Sequence, residues 1–214
     1  MNKKMLYFSL GLLTTFILWT AAVTVLDVQT IGPEGSSVGF AGLNGFVHQL
    51  TGVHLGLYIL TDWLSLVPLI FGMGFAILGL TQWIRRGCLW KVDPSILILG
   101  IFYLITGAIF LFFEKWIINY RPVLINGILE ASYPSSTTML VICVMSTACM
   151  QLQARIGNLH LRKWTAILIT LFTVLMVLGR LLSGVHWVTD IIGGILLSSG
   201  LVVLYRALTQ KRDC

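Results

Sequence analysis

Six apolar runs, each about as long as a helix needs to cross a bilayer, dominate this chain and leave it few ways to fold. They cover residues 5–26, 57–83, 95–113, 139–154, 164–182 and 188–208, and roughly 20 apolar residues suffice for one crossing. Lipid offers no partner to an open backbone, so a spanning segment is a helix or part of a closed barrel. These runs are continuous rather than alternating, which selects helices. Only 10% of the residues are charged, against about 25% in soluble domains. The expected fold is therefore all-α: one polytopic membrane domain over residues 1–214, with six transmembrane helices. The fourth run is short, and its helix is expected to reach back to Ser136.

The first run follows Lys3 and Lys4. It is too long for a signal peptide and lacks a small-residue cleavage site, so it reads as a retained span. The net charge of +6 does not indicate nucleic acid, because the basic residues fall in short clusters between apolar runs. Lys3, Lys4, Arg85, Arg86, Lys91, Arg155, Arg162, Lys163, Arg206, Lys211 and Arg212 all lie on one side if the helices alternate. The positive-inside rule makes that side cytoplasmic, with both termini. Lys115, Arg121 and Arg180 fall on the other side, where basic residues are disfavoured and need a reason. A transporter would carry charges inside several spans, and the middles of these spans carry almost none.

Smaller features have bland readings. Cys88, Cys143, Cys149 and Cys214 show no metal-ligand or disulfide spacing and read as free thiols. Leu43, Phe46, Val47 and Leu50 recur at helical spacing in the loop 28–56, which suggests a short helix in the membrane interface. Trp83, Trp90, Trp116, Trp164 and Trp187 fit an interfacial belt. Gly193, Gly194 and Gly200 fit close helix packing. His48 and His54 read as structural, His160 as solvated, and Asp62 as a surface or capping residue.

Three segments on the non-basic side concentrate the unusual polar residues. The first runs from Glu114 and Lys115 to Arg121-Pro122. The second is Tyr133-Pro134-Ser135-Ser136-Thr137-Thr138, and the third runs from Gly179-Arg180 through His186 to Asp190. His186 and Asp190 are four apart and share a face if both are helical. A carboxylate that accepts one ring N–H leaves the other imidazole nitrogen free to attack. Arg180 presents a donor fork suited to phosphate. The second segment opens a helix, whose first N–H groups and dipole attract anions.

The order Arg121-Pro122, then Pro134-Ser135-Ser136, then Arg180-x5-His186-x3-Asp190 resembles the type-2 phosphatidic acid phosphatase superfamily. The motifs of that family are K-x6-R-P, P-S-G-H and S-R-x5-H-x3-D, and the likeness covers roughly residues 58–208. It implies a lipid phosphatase with its site at the extracytoplasmic face of a bacterial-type plasma membrane. His186 would be the nucleophile, forming a phosphohistidine, and Asp190 its orienting partner. Lys115, Arg121, Ser135, Ser136 and Arg180 would bind phosphate, with no metal or other cofactor. Undecaprenyl pyrophosphate is the first-choice substrate; phosphatidate or phosphatidylglycerol phosphate comes second. The partners implied are the lipid and the bilayer, and no nucleic acid.

The pattern departs from the family in four places. Lys115 gives K-x5-R-P, and the strict register puts Glu114 at the lysine position. Ser136 stands for glycine and Gly179 for serine. Thr137 stands where the family has its general-acid histidine, a group worth roughly 10²–10⁴ in rate. Three readings of Thr137 stay open: an engineered change, a natural site that takes its proton from another group or water, or a non-catalytic lipid-phosphate binder.

Overall fold

The computed structural model describes residues 2–209; Lys211, Arg212 and Cys214 lie outside them. Eight α-helices follow one another: α1 (Lys3–Val25), α2 (Ala41–Thr51), α3 (Leu55–Leu64), α4 (Leu66–Arg86), α5 (Pro94–Lys115), α6 (Ser136–Arg155), α7 (Leu159–Leu182) and α8 (Val188–Thr209). Counting α3 and α4 together, six helical stretches are long and apolar enough to span a membrane. Their starts carry side-chain caps where the sequence supplies them. Asn2 caps α1, Asp93 followed by Pro94 opens α5, and Asn158 receives two N–H groups from α7, as expected for orphan donors at a helix start.

The second span is not one continuous helix. It runs from Leu55 to Arg86 with a break at Ser65. Pro68 has no N–H to give the Leu64 carbonyl, and its ring crowds that carbonyl. The Ser65 N–H is shared between the carbonyls of Thr61, four residues back, and Asp62, three back, so the turn tightens there. The fourth span begins at Ser136, as expected.

α6 and α8 form the centre. In each, 56% of the spanning window is buried, against 22% in α1 and α7. α8 lies antiparallel to α1, tied by Ser9 Oγ to the Gly200 carbonyl (2.8 Å) and by Trp19 Nε1 to the Thr189 carbonyl (3.2 Å). Gly200 permits that contact, since a Cβ there would meet Leu13 at 2.7 Å; Gly193 makes room instead for the Tyr133 ring, which a Cβ would meet at 2.7 Å. α2 turns Leu43, Phe46 and Leu50 outward and buries Asn44, which donates to Thr189 Oγ1 (3.0 Å) and accepts its N–H (3.2 Å). At the end holding residue 2, Arg155 pairs with Asp93 at 2.8 Å. Among the described residues, Cys88, Cys143 and Cys149 form no disulfide.

One aromatic departs from expectation. Trp83, Trp90, Trp116 and Trp164 are exposed, but Trp187 is only 3% exposed. It donates to the Tyr120 carbonyl at 2.8 Å and packs on His48. It is a packing residue of the loop before α8, not part of a belt.

Candidate active site

The three polar segments meet at the end of the bundle opposite residue 2. A hairpin brings the first two together. Asn119–Ser132 folds back on itself, with Ser132 N–H donating to the Asn119 carbonyl and Arg121 N–H to the Glu130 carbonyl. Asn126 (φ 52°) and Gly127 (φ 77°) form its tip, the pairing that a two-residue hairpin turn favours. The third segment is docked by α6: Ser135 N–H donates to the Asp190 carbonyl at 3.1 Å.

Asp190 is fully buried in the first turn of α8. Its carboxylate accepts the Trp187 N–H (2.9 Å), the Asn119 side-chain amide (3.3 Å) and the Ser132 hydroxyl. The first of these satisfies an orphan donor at the helix start. His186 is not bonded to it directly: Nδ1 lies 3.7 Å from Asp190 Oδ2. The Ser132 hydroxyl bridges the gap, 3.0 Å from Nδ1. Because the carboxylate only accepts, Ser132 gives it its proton and receives the Nδ1–H. The direct carboxylate–imidazole contact expected from the i,i+4 spacing is thus a relay through Ser132. The tautomer expected is the same, with Nε2 left as a free lone pair.

Among the described residues, that buried Nε2 has no hydrogen-bond partner. The same holds for Arg121 Nη1, Arg180 Nε and Ser135 Oγ. Buried polar atoms almost always find partners, and donors of this kind, gathered around an imidazole nitrogen, are chemically able to receive an anion. Burial pushes His186 well below its ordinary 6.5, helped by the charges of Arg121 and Arg180 and opposed by the Ser132 bond. The imidazole is neutral at pH 7, the form in which a ring nitrogen has a lone pair to offer.

The other predicted residues are distributed unevenly. Ser136 begins α6 beside Ser135. Thr137 is buried in the same turn and lines, with Ser136, the head of an apolar cleft of about 520 Å³ between α4, α5 and α6. Lys115 is not gathered in. Its side chain is exposed and makes no ion pair or side-chain hydrogen bond with any described residue. Glu114, in the strict register, lines a small crevice with Ser132 and Ser136. Asp62 does more than cap or face water: Oδ1 lies 3.9 Å from Arg180 Nη1. Ser132, Asn119, Glu130 and Tyr58 were not singled out by sequence reasoning. The Asn126-Gly127 dipeptide, a hairpin signal, marks the first three as neighbours of the motifs.

A family model described as the PAP2 superfamily matches residues 95–214, more than half of the chain. No curated protein matches. Among solved structures, the fold is similar to the crystal structure of the first transmembrane PAP2 type phosphatidylglycerolphosphate phosphatase from Bacillus subtilis. The TM-score is 0.57 and the identity 21%, covering 97% of this chain and 100% of that one. At that identity the likeness speaks to the fold.

Proposed function

This chain belongs to the PAP2 superfamily, and from that premise we propose that it removes the terminal phosphate of a membrane lipid through a phosphohistidine on His186. The observation that carries the reading is the buried, unpartnered Nε2 of His186 beside the free donors of Arg121, Arg180 and Ser135.

In this reading the lipid phosphate accepts bonds from Arg121, Arg180, Ser135 and the first N–H groups of α6. Fixed donors of this kind stabilise the charge of a transferring phosphoryl group. Nε2 attacks phosphorus in line with the leaving oxygen. The N–P bond forms as the P–O bond breaks, and the imidazole becomes cationic. Ser132 and Asp190 stabilise that charge through Nδ1–H. Water then attacks the phosphohistidine: its O–P bond forms as the N–P bond breaks, both of its protons leave on the inorganic phosphate as dihydrogen phosphate, and His186 returns to its neutral form.

The leaving group decides the substrate. An alkoxide needs a proton as it departs, and Thr137 cannot supply one near neutral pH. The phosphate leaving from a pyrophosphate needs it least. A carrier-lipid pyrophosphate such as undecaprenyl pyrophosphate is therefore the first substrate. A phosphatidylglycerol phosphate, the activity named for the Bacillus protein, comes second. The site faces outward, both termini lie in the cytoplasm of a bacterial-type cell, and the lipid chain stays in the bilayer. Thr137 and the exposed Lys115 favour one rival, a lipid-phosphate binder without turnover.

Phosphate release by the purified protein from a lipid pyrophosphate and a lipid monophosphate tests this, beside His186→Ala. Turnover on the pyrophosphate that His186→Ala abolishes is expected. No release by the native chain, with release by Thr137→His, would make the protein the binder.

A further inference from the structure

We infer that Tyr58 is a positioning residue whose ring is a shared platform for the two phosphate-binding arginines. The inference rests on the reading above, in which Arg121 and Arg180 hold the phosphate.

The two guanidinium groups face a common difficulty. Arg180 is 1% exposed and Arg121 8%, and like charges this close repel. Neither is well compensated. Arg180 has one long hydrogen bond, to Thr61 Oγ1 at 3.4 Å, and its nearest carboxylate is the largely exposed Asp62 at 3.9 Å. Arg121 Nε lies 3.0 Å from Glu130 Oε2 but without hydrogen-bond alignment. Full pairing with buried carboxylates would use up the donors that a phosphate needs.

What both share is the Tyr58 ring. The Arg180 Cζ lies 4.9 Å from its centroid and the Arg121 Cζ 5.8 Å. Both fall within the ~6 Å over which a ring face attracts a cation. An aromatic face offers negative potential without taking N–H donors. It therefore attracts both cations and leaves their forks open.

The packing of α3 fixes that ring. His54 N–H donates to the Ser183 carbonyl at 2.9 Å and ties the start of α3 to the end of α7. Gly179, where the family has serine, lets α3 lie against α7 next to Arg180. A Cβ there would sit 2.7 Å from Thr61 Cγ2 and 3.9 Å from Leu57 Cδ1. The neighbours Ile59, Leu60 and Trp63 point outward, while Tyr58 is half-buried against the arginines.

The test is calorimetric binding of orthovanadate, a phosphate analogue, to the purified protein, with thermal midpoints measured in parallel. Tyr58→Leu should weaken binding about tenfold, in line with a desolvated cation–ring contact. Tyr58→Phe, which keeps the ring, should restore it to within about threefold. A series of progressively fluorinated phenylalanines at position 58 removes negative charge from the ring face without reshaping it, so it stays informative even where Tyr58→Leu does not fold. Affinity should fall steadily along the series at a constant midpoint. A flat series, or Tyr58→Phe as impaired as Tyr58→Leu, overturns the platform while leaving the phosphatase reading intact. Failure of the native protein to bind vanadate at all overturns both.

Discussion

Ser132 stands between the Asp190 carboxylate and the His186 ring, which are 3.7 Å apart and cannot bond directly. Ser132→Ala would leave Nδ1–H and one carboxylate lone pair without partners in a buried site. A hydrogen bond to a charged group contributes about 1.5–3 kcal/mol, so kcat should fall roughly tenfold to a hundredfold, with KM nearly unchanged. Steady-state kinetics check this; an unaltered kcat would remove the relay. His186 also makes a pH prediction. Its native pKa is held well below 6.5, chiefly by burial, so the native state stays neutral where the unfolded chain takes up a proton. The stability it contributes is complete above pH 6.5 and declines as pH falls from there toward the native value. Thermal midpoints of the native protein should drop across that window more steeply than those of His186→Gln.

Among the elements, the Asn119–Ser132 hairpin has the most to do with the site and the least to do with the bundle. It carries Arg121 on one arm and Ser132 on the other. Its tip requires positive φ at Asn126 and Gly127, and a β-branched residue there is strained by about 1–3 kcal/mol. Gly127→Val should therefore lower kcat/KM several-fold, while the thermal midpoint, set by the buried helices, moves by only a few degrees. Measuring both separates the two effects. This hairpin also marks the limit of what the sequence discloses. The six spans are legible because apolar runs of that length have one outcome in lipid. The start of α6 is legible because Ser135 and Ser136 suit a helix start. The break at Ser65 went unread although Pro68 signals it, because hydropathy sums over a proline. The fate of Trp187 is decided by Tyr120 and His48, which are remote in sequence. Motif spacing selects His186, Asp190, Arg121, Arg180 and Ser135, which the fold brings near one another. Spacing says nothing of Ser132 and Tyr58, since their places depend on a turn and on how closely α3 meets α7.

At the scale of the whole molecule the two ends differ in chemistry. One end gathers Lys3, Lys4, Arg85, Arg86, Lys91, Arg155, Arg162, Lys163 and Arg206; at the other, Arg121 and Arg180 are committed to the buried site. Each Lys or Arg near an anionic cytoplasmic surface gains about 1 kcal/mol of attraction, so turning the basic end outward would forfeit several kcal/mol. In the proposed orientation the site faces away from the cytoplasm, and its chemistry should follow external pH. Single cysteines in a background with Cys88, Cys143, Cys149 and Cys214 replaced by serine would read the orientation. Ile128→Cys, at the 63% exposed hairpin tip, should react with a membrane-impermeant maleimide on intact cells. Lys4→Cys and Arg162→Cys should react only after the cells are opened. The opposite pattern would turn the site inward, and an outer-leaflet lipid phosphate could then no longer be the substrate.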